Sequence, residues 1–147
     1  VTPPVAQDPS LPLLRGLYAL LSGDAELTGL DGFVGVFNGP PEHVKGDYVV
    51  VGTRVQTVPD DVHGRHGRQN IVQLDTWTTS RSSIPGDTIG ARLVALLTRR
   101  QDDLDPLVDG HRVTMIVWEF SQSLDDPDRE VRHRTDRFRI RTSQEDE

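Results

Sequence analysis

Ile71-Val72-Gln73-Leu74-Asp75-Thr76-Trp77-Thr78-Thr79 has a period of two. Val72, Leu74 and Thr76 share one face of an extended segment, and Gln73, Asp75 and Trp77 share the other. This spacing predicts a strand with one face in a core. The period then changes. Ser82-Ser83-Ile84-Pro85-Gly86-Asp87 carries helix-start chemistry, and Ile89, Leu93, Leu96 and Leu97 follow as a stripe at i, i+4, i+7, i+8. Arg99 and Arg100 close that stretch with cations that favour a helix C-terminus. A strand feeding a one-sided helix sets the layering, because each element has a single apolar face to bury.

Upstream, Ser10 and Pro12 open a helix with Leu13, Leu14, Leu17, Leu20 and Leu21 at helical spacing. Gly23 stops it, and Asp24 can cap a short turn from Leu27 to Leu30. Val34 to Phe37 reads as a short strand ended by Asn38-Gly39-Pro40-Pro41, and Asp47 to Val55 as a central β-rich strand. Residues 57–70, with Pro59, Asp60, Asp61, Gly64 and Gly67, read as a long loop. Downstream come an acidic turn from Asp102 to Gly110, a strand from Arg112 to Phe120, a turn at Asp125-Asp126-Pro127-Asp128 and a closing strand from Val131 to Thr142. In that last strand Phe138 and Ile140 face in while Arg137, Arg139 and Arg141 face out.

The order helix, strands, helix, strands implies an α+β domain. Its expected form is one antiparallel sheet of four to five strands with two main helices packed on one face. Residues 11–142 form this single domain, residues 1–10 a flexible Pro-rich arm, and residues 143–147 a disordered acidic tail.

Composition narrows the function. The 147 residues carry a net charge of −7, with 35% hydrophobic, 5% aromatic and 27% charged side chains. An average domain is about 45–50% apolar, so this core is lean and packing against neighbouring subunits is expected to add stability. The acidic balance argues against a free nucleic-acid binder, which normally presents a basic patch. There is no cysteine, hence no disulfide or thiolate chemistry. Apolar runs are too short to span a bilayer, and no secretory signal is visible, so a soluble chain without membrane partners is expected.

Catalytic and metal chemistry find little support. His63 and His66 have a His-x-x-His spacing, but few apolar residues surround them to hold ligands rigid, and Arg65 and Arg68 oppose a cation. His43, His111 and His133 are scattered and read as surface residues. The aspartates cluster in turns, where Asx hydrogen bonds explain them. Gly-x-Ser-x-Gly, P-loop, Gly-x-Gly-x-x-Gly and His-Glu-x-x-His motifs are all absent. No catalytic residue, metal ligand or cofactor is expected.

Asp75 beside Trp77 is the carboxylate best placed to be semi-buried, with an arginine across a subunit interface as its expected partner. Arginine supplies 15 of the 16 basic residues, Lys45 being the exception, and six lie between Arg129 and Arg141. Part of this row is a solvated strand face. The guanidinium fork also suits carboxylates, so Arg137, Arg139, Arg141, Asp75 and Trp77 are the expected subunit-interface residues.

The segment order resembles the tail-terminator, or tail-completion, family of siphophages over about Leu11 to Thr142. The similarity rests on Leu13 to Asp24, on Val34-Gly35-Val36-Phe37-Asn38-Gly39-Pro40-Pro41, on Asp47 to Val51 and on Val72-Gln73-Leu74-Asp75-Thr76-Trp77-Thr78. The helix from Ile89 to Leu97 and Arg132-His133-Arg134 before Phe138-Arg139-Ile140 extend it. The resemblance implies a virion protein without enzymatic activity, assembled in the host cytoplasm. It implies a ring, typically a hexamer, that caps the tail tube, contacts the major tail tube protein and the head–tail connector protein, and leaves a channel in which DNA is passing cargo. Another connector subunit, of the head-closure or neck kind, is the alternative; a small cytoplasmic enzyme or ligand-binding domain is the remote one.

Overall fold

The computed structural model describes residues 5–61, 66–125 and 131–145. Helix α1 spans Ser10–Ser22, a single turn α2 Ala25–Thr28, and helix α3 Ile84–Leu97. The turn α4, Gln101–Leu104, runs into a 3₁₀ turn over Asp105–Leu107. The strands are β1 Phe33–Asn38, β2 Asp47–Pro59, β3 Gly67–Thr78, β4 His111–Asp125 and β5 Arg132–Gln144. They form one five-stranded sheet in the order β1-β2-β3-β5-β4.

The helices lie on one face, as their single apolar stripes require. Leu13, Leu17 and Leu21 of α1 and Ile89, Leu93 and Leu97 of α3 are buried against Val49, Val51, Val72, Leu74, Ile116, Phe138 and Ile140. At about 1.5–3 kcal/mol for each large side chain buried, this layer dominates the favourable side of folding. Gly16 lets α1 approach the segment after the 3₁₀ turn, since a Cβ there would sit 2.8 Å from Val108 Cγ2 and 2.9 Å from the Leu107 carbonyl oxygen.

The sheet corrects the expectation of purely antiparallel pairing. Strands β2, β3, β5 and β4 pair antiparallel, but β1 runs parallel to β2, with Val36 opposite Val49 and Phe37 opposite Val50. The chain after Asn38 makes no hairpin. Left-handed residues at Gly39, His43 and Gly46 turn it back along β1, and the Asp47 N–H donates to the Gly32 carbonyl at the start of that strand. The return is so close that a Cβ on Gly46 would lie 2.4 Å from Val34 Cγ2.

The long loop expected over residues 57–70 is mostly strand. Thr57, Val58 and Pro59 pair with Asn70, Gln69 and Arg68, leaving only residues 60–66 between β2 and β3. Polarity misled here because the polar groups bond to one another. The fully buried Asn70 amide accepts from Thr57 Oγ1 at 2.9 Å and donates to the Ile140 carbonyl and to Thr142 Oγ1. Two other boundaries move. Strand β5 runs on to Gln144, whose side chain accepts from Gln7 N–H and donates to the Val5 carbonyl, so Val5 and Gln7 of the expected arm are tied down. Helix α3 stops at Leu97, because Arg99 turns left-handed (φ 57°) and donates its N–H to the Ile116 carbonyl.

Candidate functional site: the uncovered face of the sheet

With both main helices on one side, the other side of the sheet carries the side chains that the core does not use. Cross-strand register places Tyr48 opposite Trp77 and Trp77 opposite His133, then Asp75 between Val50 and Thr135. Further along, Gln73, Ile71 and Gln69 face Arg137, Arg139 and Arg141, and these face Phe120, Val117 and Met115 on β4.

At the β1 end, this face forms a groove of about 650 Å³ bounded by Asn38–Pro40, Tyr48, Val50, Trp77, Val131 and His133. Asp75 lies in its floor, only 2% exposed. Its carboxylate meets His133 Nε2 at 2.7 Å and accepts from Thr135 Oγ1 at 2.8 Å and Gln73 Nε2 at 3.2 Å. Burying a carboxylate is costly unless donors satisfy it, and three strand-borne donors do so here. Trp77 covers the cluster by stacking on His133, with centroids 4.0 Å apart and planes 3° from parallel.

The arrangement does not assemble a proton relay. In a nucleophile–histidine–carboxylate triad, the hydroxyl and the carboxylate address different ring nitrogens. Here Asp75 and Thr135 both address Nε2 of His133, Thr135 at 3.4 Å. The cluster is a rigid polar floor.

The arginine row divides into three environments. Arg141 Nε donates to Asp60 in the same chain at 2.9 Å, and the Gln69 amide together with the Arg141 guanidinium holds the Asp60 carboxyl below its usual value. Arg137 lies over the Phe120 ring, 4.6 Å from its centroid, and its Nε is buried without a hydrogen-bond partner among the described residues. Arg139 is exposed and forms no ion pair among the described residues. An intrachain carboxylate thus occupies Arg141, and intrachain donors surround Asp75, so the expected cross-subunit pairing of those two is not what first satisfies them.

The family model described as Tail completion protein gp17 matches residues 15–143. The chain belongs to that family. Membership in the tail completion family makes the chain a structural component of a phage-type tail. A chain of a solved virion of a native gene transfer agent particle superimposes with a TM-score of 0.81 at 18% identity, covering 94% of this chain and 99% of that one. At that identity the likeness concerns the fold. No curated protein matches.

Within this tail completion fold, sequence reasoning placed Asp75 and Trp77 correctly on the face away from the core but missed what joins them. His133, read as a surface histidine, stacks on Trp77. His111, read the same way, is only 3% exposed. The missing signal is cross-strand register, which pairs residues 56 positions apart at Trp77 and His133. A second unread cluster lies on the helix side. Fully buried Asp136 accepts from Arg134 and from the Ser121 hydroxyl, and Arg134 also reaches Asp87 of α3 at 2.9 Å. Gly90 makes room for it, because a Cβ there would lie 1.9 Å from Arg134 Nε. Of the His-x-x-His pair, His63 lies outside the described residues and His66 is 3.9 Å from Asp61. Among the described residues no three His, Cys, Asp or Glu side chains converge as a metal site, and no helix is long and apolar enough to cross a membrane.

Proposed function

We propose that the chain is a tail terminator: a subunit of a closed ring, six copies in number, that caps the tail tube and joins it to the head-side connector while leaving a channel for DNA. The observation carrying this reading is the family match over residues 15–143, on a fold whose sheet keeps one face free of helices. A cyclic ring needs two different surfaces on each subunit. The interface residues proposed for it are Arg137, Arg139, Arg141, Asp75 and Trp77. Arg137 and Arg139, which form no ion pair among the described residues, can meet carboxylates of a neighbour, Trp77 offers a partly exposed ring, and Asp75 and Arg141 hold that face in shape from within. The major tail tube protein and the head–tail connector are the axial partners.

Averaged electron-microscopy images of the virion neck, with this chain located by a label, test the reading. A six-fold ring at the head-proximal end of the tube is expected. A label elsewhere in the particle, or a neck without a ring of this chain, rules it out. A head-closure subunit would also give a ring, placed on the connector side; tails isolated without heads separate the two, because a terminator remains on them.

A further inference from the structure

β4 is an edge strand 15 residues long, and a long edge is a template for pairing unless it is covered. Its register with β5 breaks twice, between Val113 and Met115 and between Trp118 and Phe120, and the Ile116 carbonyl is already taken by the Arg99 N–H. Backbone pairing along this edge is interrupted, so contact there runs through side chains. Those side chains are apolar: Met115, Trp118, Phe120 and Leu124 are 44%, 46%, 37% and 39% exposed. Met115, Phe120 and Leu124 lie on the uncovered side of the sheet and Trp118 on the helix side, so they flank the edge from both faces. The indole N–H of Trp118 donates to Ser121 Oγ at 2.9 Å, which leaves its ring as an apolar plate with no polar atom to satisfy. Beside it, Thr98 Oγ1 and Gln101 Oε1 are buried without a hydrogen-bond partner among the described residues and line a groove of about 610 Å³ under β4.

Charge decides what fits. Arg99, Arg137 and Arg139 border this edge and form no ion pair among the described residues. The opposite edge of the sheet, β1 with α2 and the turns around them, has the other sign: within residues 24–46 Asp24 and Glu26 share one cation, Arg92 of α3, and Asp31 and Glu42 stand against one lysine, Lys45. Asp31 and Glu42 are exposed and likewise form no ion pair among the described residues. Exposed Glu119 on the β4 bulge and Lys45 reverse the sign at one point on each edge and so also complement each other.

We infer that the β4 edge is the seat of a second copy of this chain, docked by its acidic β1–α2 edge with Trp118 at the centre of the contact. This inference rests on the ring reading and specifies its surface. Two unlike edges meeting head to tail make the heterologous contact that closes a ring, and a buried tryptophan rimmed by charge is the usual composition of an interface hot spot.

The chain has no cysteine, so paired cysteines report the contact cleanly. Tails are assembled from chains carrying both V34C and M115C, treated with a short bismaleimide and separated under denaturing conditions. A covalent ladder ending at one fixed size is expected, with neither single variant giving any ladder. Dimers from M115C alone mean that β4 meets β4 across a two-fold axis and overturn the proposal. Should the double variant fail to assemble, hydrogen exchange on unmodified tails decides: amides of residues 113–124 and 31–38 should be slowed at least tenfold relative to the free subunit, and unchanged rates at β4 overturn it. A ring visible at the neck together with no crosslink and no protection refutes this surface alone. Absence of the ring refutes the underlying reading.

Discussion

Trp77 and His133 lie face to face across β3 and β5, and the imidazole edge under the indole is bonded to buried Asp75. The stack places a large apolar plate over a buried charge and separates it from water. Because the three side chains come from two neighbouring strands, removing one loosens the floor of the groove rather than an isolated contact.

For that reason His133→Ala should cost about 1–3 kcal/mol, the penalty for leaving a buried acceptor without one of its donors. Urea unfolding measures it, and the Trp77 emission should move toward that of solvated indole. Trp118→Phe in the same background removes the second tryptophan so that the signal is unambiguous. An unchanged midpoint and spectrum would refute the role given to the stack.

Arg92 grips Asp24 with two hydrogen bonds of 2.8 and 2.9 Å while Asp24 caps α2 through the Leu27 N–H. The Arg92 hydrogen bond holds the Asp24 carboxyl below the ordinary aspartate value of 3.8. A carboxylate lowered in the folded state binds its proton more readily when unfolded, so its stabilisation is full above pH 3.8 and is lost as the pH falls through the lowered value. Asp24→Asn should therefore lower stability by about 1 kcal/mol at neutral pH and converge with the parent chain in strong acid. Thermal melts from pH 7 down to pH 2 test the convergence.

Gly90→Ala should be far worse than its helix position suggests. The added Cβ collides with Arg134, and Arg134 cannot retreat without abandoning fully buried Asp136. A loss on the order of 3 kcal/mol is expected. Gly86→Ala, one turn earlier, meets nothing nearer than Thr78 Cγ2 at 3.8 Å and should be neutral or stabilising by up to about 1 kcal/mol. Equal effects of the two substitutions would remove Arg134 from the account.

On the closing strand, Phe138→Ala should cost about 3–5 kcal/mol and unfold the subunit, because Phe138 is fully buried. Arg139→Ala should leave the monomer melt within about 0.5 kcal/mol, as expected of a surface position, and show its effect only in tail completion. Replacing Arg137, Arg139 and Arg141 together should weaken assembly further, with part of the monomer loss traceable to the Arg141–Asp60 pair. Normal assembly of the triple variant, coupled with failed DNA ejection, would place the row on the channel.

Periodicity made the layers legible. The leucine stripe of α1, the stripe of α3 and the alternation of Val72, Leu74, Phe138 and Ile140 all describe one apolar face each, and a single-faced element can be read without knowing its neighbours. What the sequence could not show was pairing between distant segments. The parallel β1–β2 pair depends on left-handed residues at positions 39, 43 and 46. The extended β2–β3 ladder depends on Asn70 finding a donor, Thr57, on β2 and two acceptors on β5. The Trp77–His133 stack and the Arg134–Asp136 cluster follow from register, which no local spacing encodes.

The position of β5 between β3 and β4 bears on how the protein is made. As the polypeptide leaves the ribosome, β4 emerges with no neighbour to hold it, and it joins the sheet only once β5 has threaded in beside β3. Such non-local pairing is slow and leaves strands exposed in the meantime. A chain broken before Arg132 therefore cannot display a finished β4 edge. If the β4 edge is the subunit contact inferred above, truncated products lack it, and their own topology should keep them out of the particle.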